Sequence, residues 1–160
     1  MTTSGFGRLN YPAASPGAYR AMLQVSEYVK GRLGNELVEL VSLRASQING
    51  CAFCIDMHTQ ELRAAGMEER KLYLLSVWRE VALYSPRERV ALAWTEALTR
   101  LTNEGVSDAL YEEARSVLGD AELVDLALAV NAINGWNRLS IAFHAAAGHY
   151  KAGSLAAKSA

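Results

Sequence analysis

Apolar residues along this chain return at intervals of three and four, and no stretch alternates apolar with polar in the manner of a half-buried strand. The pattern predicts an all-α protein. Ser15 followed by Pro16 suits a helix start, and the first helix is predicted to run through about Lys30. After the "GRLGN" break at 31–35, a second helix is predicted from Glu36 to Asn49, stopped by Gly50, which tolerates the left-handed cap conformation. A third is expected from about Cys51 to Ala65, ended by Gly66, and a fourth from Glu68 to Leu83, before "YSP" at 84–86. The fifth is placed at Arg87 to Leu101. Beyond "TNEGVS" come a short sixth, Asp108 to Leu118, then Gly119 and Asp120, and a long last helix, Ala121 to Ala146. That helix is apolar on most of its circumference and needs covering, so association of subunits is expected.

Composition narrows the class. The chain of 160 residues is 51% hydrophobic and 21% charged with three prolines, which is globular and large enough for one domain spanning 1–160. The arm at 1–15 and the tail at 151–160 are expected to be loosely ordered. Sixteen basic against 17 acidic residues leave a net charge of −1, without a run of either sign. Neither nucleic acid nor an anionic membrane surface is therefore expected as a partner. The segment "LVDLALAVNAI" is interrupted by Asp125 and Asn131, and "MTTSGFGRLNYPAASPG" lacks a basic stretch followed by an apolar one. Neither a membrane span nor a secretory signal is predicted, which makes the expected location cytoplasmic.

The two cysteines of the chain sit in "NGCAFCIDMH", residues 49–58. A c-type haem anchor needs histidine directly after the second cysteine, and Ile55 stands there. A structural zinc site takes four ligands. Cys51, Cys54 and His58 supply three, so zinc requires a further carboxylate. Lone buried cysteines are commonly inert, and a single histidine is commonly a packed polar group. Spacing and the reducing compartment favour redox chemistry instead. On a helix, Cys51 and Cys54 lie one turn apart, with Cβ atoms roughly 5–6 Å from each other. A disulfide wants about 3.5–4.5 Å, which a modest local adjustment supplies. Both sulfurs fall in the first turn, where free amides and the helix dipole favour a thiolate. His58 follows Cys54 by four residues and so shares its face.

If Gly50 reverses the chain, the second and third helices form a hairpin. Glu39, eleven residues before Gly50, then lies about 4.5 Å along the axis from His58, within reach of a glutamate side chain. The expected series from the deep end to the mouth is Glu39, His58, Cys54, Cys51. On a helical wheel, Leu37, Val41, Ala45 and Ile48 gather on one side and Glu39, Ser42 and Ser46 on the other. The polar side reads either as a solvated face or as a close approach for the third helix.

The stretch "RASQINGCAFCIDMHTQELRAAG" (44–66), with Glu39 twelve residues before Cys51, fits Glu-x11-Cys-x2-Cys-x3-His. This resembles the AhpD-like alkylhydroperoxidases within the carboxymuconolactone decarboxylase family. "RLNY" (8–11), "ERVALAWTEALT" (88–99) and "INGWNRL" (133–139) resemble further stretches of single-domain members. The resemblance implies an all-helical bundle with a long C-terminal helix, assembled as trimers or hexamers. It implies a peroxidase that reduces organic or hydrogen peroxides without a cofactor. An external dithiol, a thioredoxin-like or lipoyl-type protein, regenerates the thiols. Carried over by position, Cys54 attacks the peroxide, Cys51 resolves, and His58 with Glu39 forms the proton relay. The dipole argument favours Cys51 at least as strongly as Cys54, so the division between the two cysteines stays open.

One departure is Phe53, where some family peroxidases carry a second histidine directly before the second cysteine. The family's decarboxylase branch lacks the cysteine pair, which places this chain with the redox branch. Two other readings stand beside the peroxidase: a dithiol/disulfide oxidoreductase or electron carrier, and a non-enzymatic zinc- or redox-sensing oligomer. Asn131, Asn134 and Asn137 are expected to form a satisfied polar stripe in the core or a subunit interface. Trp78, Trp94 and Trp136 read as packing anchors. No role is assigned to His144 or His149.

Overall fold

The computed structural model describes residues 5–154. Their helices are α1 (Tyr11–Ala14), α2 (Pro16–Leu33), α3 (Asn35–Asn49), α4 (Ala52–Ala64), α5 (Glu69–Leu74), α6 (Pro86–Thr99) and α7 (Asp108–Phe143). A 3-10 segment, Leu75–Glu80, follows α5. The protein is all-α, with a single isolated antiparallel bridge between Phe6 and Ala145 among the described residues.

Helix α3 is the axis of the bundle. Its residues from Leu37 through Ser46 are all buried, polar ones included. One side of α3 meets α2, α6 and α7 through Val29, Leu33, Val41, Val90, Trp94 and Leu126. The other meets α4, α5 and the 3-10 segment through Leu40, Leu43, Leu62, Leu72, Leu75 and Trp78. Each such side chain removed from water contributes on the order of 1.5–3 kcal/mol. A helix enclosed on both sides cannot present a solvated face. Glu39, Ser42 and Ser46 therefore lie inside, at 2%, 4% and 0% exposure.

Buried polar groups need partners. The asparagines predicted as a stripe on α7 supply some of them. Asn137 donates to Ser46 Oγ at 2.9 Å, and Asn49 donates to Oδ1 of Asn137 and of Asn134 at 2.8 and 3.0 Å. Asn131, one turn earlier, is exposed and stands outside this network. On the far side Glu96 receives Arg44 Nε at 2.7 Å, Trp78 Nε1 at 3.0 Å and the Arg79 guanidinium. Trp78 and Trp94 are buried, and Trp136 is half-buried with its Nε1 on Ser26 Oγ at 2.9 Å.

Helix boundaries differ from the sequence pattern where tertiary contacts compete. Within "GRLGN", Gly31 stays helical and only Gly34, at φ +87°, breaks the chain. The fourth helix expected at 68–83 is cut short. Arg89 on α6 draws the carbonyls of Trp78, Arg79 and Val81, and the Tyr84 hydroxyl takes the carbonyl of Lys71. The backbone tightens into 3-10 form and becomes extended at Val81. The last helix ends at Phe143, because His144 turns left-handed and Ala145 pairs with Phe6. Gly119 breaks α7 where the sequence places a break, at φ 76° and ψ 169°.

Of the arm and tail expected to be loose, residues 1–4 and 155–160 lie outside the described residues; the stretches next to them make defined contacts. Gly7 N–H donates to the carbonyl of His144 at 2.8 Å, and the Phe6, Tyr11 and Phe143 rings pack together. Tyr150 and Gly153 both donate to Glu61 on α4, and Gly148 N–H donates to Asp56. No helix among the described residues is long and apolar enough to cross a membrane.

The backbone at Gly119 occupies a region that residues with a Cβ avoid, whereas Gly31 is helical with open space around it. Gly119→Ala is expected to cost roughly 1–3 kcal/mol of stability. Gly31→Ala should stabilise by about 0.5–1 kcal/mol. Denaturant unfolding of the two variants beside the parent measures both.

Candidate active site at the mouth of a helical hairpin

Gly50 closes α3 in the left-handed conformation, at φ 70° and ψ 32°, and Cys51 follows as the N-cap of α4. This turn folds α4 back along α3. Cys51 Sγ accepts the amide of Cys54 at 3.4 Å, the bond a serine or aspartate makes at this position. The sulfur thus sits where backbone donors and the helix dipole favour negative charge. Cys51 and Cys54 are joined in a disulfide, with Cα atoms 5.3 Å apart. Both are buried, at 1% and 2% exposure.

One turn further along α4, His58 is buried as well. Its Nδ1 is hydrogen-bonded to Glu39 Oε2 at 2.5 Å across the hairpin. With Nδ1 engaged, the remaining ring nitrogen is Nε2, which is buried without a hydrogen-bond partner among the described residues. Glu39 Oε1 carries a second contact, to Lys30 Nζ at 2.5 Å. Burial pushes the Glu39 carboxyl up. The hydrogen bond and charge of His58, with those of Lys30 behind them, outweigh this and bring it from 4.5 down to about 2.

All four residues singled out from sequence thus lie on one hairpin. Glu39 and His58 are in direct contact, and Cys51 and Cys54 are bonded to each other. Lys30 was missed. It lies four residues before Gly34 and Glu39 five after, so the counting that relates Glu39 to His58 across Gly50 also relates Lys30 to Glu39 across Gly34. The C-terminal segment was missed too. The Tyr150 ring packs edge-on to Phe53, with centroids 6.4 Å apart, beside the second cysteine. Burial and the Glu61 carboxylate push the Tyr150 hydroxyl above its usual range. No signal short of the fold relates Tyr150 to α4. Among the described residues, no group of three or more His, Cys, Asp or Glu side chains is arranged to hold a metal ion.

The model of the carboxymuconolactone decarboxylase family matches residues 16–97, which include Lys30, Glu39, both cysteines and His58. The uncharacterized protein YdfG of Bacillus subtilis (strain 168) is 41% identical over 136 residues, covering 84% of this chain and 92% of that protein. This chain belongs to the carboxymuconolactone decarboxylase family. Its bundle is similar to that of a protein of unknown function from Agrobacterium tumefaciens, suggested to be the antioxidant defence protein AhpD. That match has a TM-score of 0.83 and 40% identity, over 89% of this chain and 99% of that one. A peroxidase-related protein with an alkylhydroperoxidase AhpD core, from Ralstonia eutropha JMP134, shares the fold. There the TM-score is 0.74 and the identity 20%, over 86% of this chain and 74% of that one. The protein is thus an AhpD-like member of the carboxymuconolactone decarboxylase family, and the bonded cysteine pair points to a redox role.

A carboxyl lowered by folding makes the native state hold fewer protons than the unfolded chain between the two values. Stability from Glu39 is therefore complete above pH 4.5 and is lost as pH falls toward 2. Glu39→Gln lacks this loss. The stability gap between parent and variant, read by denaturant unfolding, should narrow by about 3 kcal/mol from pH 5 to pH 2.

Proposed function

We propose that the protein is a thiol-dependent peroxidase that reduces organic or hydrogen peroxides through the Cys51–Cys54 pair. The observation that carries this reading is the buried Glu39–His58 pair one turn below the sulfurs, ending in an Nε2 with no partner among the described residues. A histidine that must take and return a proton keeps a ring nitrogen free for it.

In the reduced enzyme the Cys54 thiol gives its proton to His58 Nε2, while Nδ1–H stays on Glu39. The thiolate attacks the outer peroxide oxygen and breaks the O–O bond. Cys54 becomes a sulfenic acid, and the departing alkoxide takes the proton from the imidazolium to leave as alcohol. The Cys51 thiol loses its proton and, as thiolate, displaces hydroxide from the Cys54 sulfur; the proton it lost converts that hydroxide to water. The product is the disulfide present here. Two electrons have passed from the cysteines to the peroxide. An external dithiol, a thioredoxin-like or lipoyl-type protein, returns them by exchange through a mixed disulfide.

The assignment of attack to Cys54 rests on its position four residues before His58. Cys51 Sγ accepts an amide and can itself carry charge, which suits a resolving thiolate. A cytoplasmic location and a trimeric or hexameric assembly belong to the same proposal. Tyr111, Val117 and Val124 supply exposed apolar surface along α7 for such an assembly.

Peroxide consumption with dithiothreitol as generic reductant tests the reading. Cys54→Ser and Cys51→Ser should both lose sustained turnover. The reduced Cys51→Ser protein should still form one sulfenic acid per chain, trapped by dimedone, whereas Cys54→Ser should form none. His58→Gln should slow turnover on the order of 10²-fold or more. If both serine variants consume peroxide as fast as the parent, the proposed chemistry is wrong. Dithiol-linked disulfide reduction without peroxide consumption in the parent identifies an oxidoreductase of another kind.

A further inference from the structure

The Glu39 carboxylate is held from two directions. His58 of α4 takes Oε2 and Lys30 of α2 takes Oε1, each at 2.5 Å. These contacts come from helices on opposite sides of Glu39 in the chain, brought together by the turns at Gly50 and Gly34. Lys30 lies in the last turn of α2, and its side chain is 40% exposed, whereas that of Glu39 is 2% exposed. Its stem therefore bridges solvent and interior, and the ammonium reaches the buried carboxylate. A surface lysine paired only for solubility has no need of a buried partner, and exposed ion pairs contribute little.

We propose that Lys30 is a positioning residue of the proton relay, fixing one oxygen of Glu39 so that the other faces His58 Nδ1 and dividing the carboxylate's charge between two partners. This deepens the peroxidase reading and rests on it. A buried carboxylate held at one oxygen alone is free to turn about its Cγ–Cδ bond and so to lose its alignment with the ring. With the permanent charge of Lys30 on the opposite oxygen, the carboxylate still orients the ring and still supports the imidazolium once formed. The ring can then take the thiol proton on Nε2 and return it to the leaving alkoxide. The groups facing Glu39 come from three elements: Lys30 on α2, His58 on α4, and Tyr150 of the C-terminal segment. The Tyr150 hydroxyl is bound to Glu61 and feels the Glu39 charge. Lys30 is the cation among them that does not depend on the state of the reaction.

The test reads Glu39 directly. In oxidised protein carrying 13C-labelled glutamate, the Glu39 carboxyl resonance is titrated with pH in the parent, Lys30→Met, Lys30→Gln and Lys30→Arg. The midpoint should rise by about one pH unit or more in both neutral variants and stay near the parent value in Lys30→Arg. Two neutral replacements guard against one that fails to fold. A midpoint unmoved in the neutral variants, or moved as far in Lys30→Arg as in Lys30→Met, overturns the proposal. In dithiothreitol-driven turnover, the acid limb of the pH profile should shift to higher pH in Lys30→Met and return in Lys30→Arg; an unshifted limb also counts against it. The resonance titration uses no peroxide. It can therefore succeed in a protein that proves not to be a peroxidase, and fail in one that is.

Discussion

The contact between Glu39 and His58 is the constraint on which the rest of this structure turns. It joins residues nineteen apart in the chain, on two helices folded against each other at Gly50. A carboxylate this deep is costly unless it is paired. Here the pairing partners are the imidazole and Lys30, so α2, α3 and α4 are tied at one buried point. The enclosure of α3 follows the same logic. With Ser46 inside as well, a polar side chain of α7 meets it: Asn137 donates to its hydroxyl and accepts from Asn49 at the end of α3.

The arrangement separates two tasks along α4. Its first turn, capped by Cys51 Sγ, supplies a site favourable to a charged sulfur. Its second turn supplies a ring held by one nitrogen, the other having no partner among the described residues. The aromatic contact of Phe53 with Tyr150 fills the position beside Cys54 where some relatives of the resembled family place another histidine. Apolar bulk stands there in place of a titratable group, which in the proposed mechanism leaves proton handling to His58.

Much of this was legible in the sequence, because the features concerned depend on spacing alone. Cys51, Cys54 and His58 share a helix, and the left-handed Gly50 lets simple counting find Glu39 opposite. Gly119 broke the last helix for the same local reason. What escaped depended on contacts between distant segments. The helix expected at 68–83 is interrupted because Arg89 gathers carbonyls that a continuing helix would have used itself. The last helix stops early because Phe6, nearly the whole chain away, claims Ala145. Lys30 stood in the sequence only as the approximate end of the first helix. Only the sharpness of the turn at Gly34, with Gly31 remaining helical, carries it to Glu39. The polar side of α3 was ambiguous for a related reason: a helical wheel shows which residues share a side, not how many neighbours surround the helix.

The account stands on a buried base making one sulfur of the pair far more reactive than an ordinary thiol. Its most direct measurement is a single turnover. Fully reduced protein, freed of reductant, is mixed with one equivalent of cumene hydroperoxide, and thiol loss is followed in time beside free cysteine at the same pH. The expected result is one Cys51–Cys54 disulfide per peroxide consumed, formed on the order of 10²-fold faster than cysteine reacts. Thiol loss no faster than that of free cysteine contradicts the account.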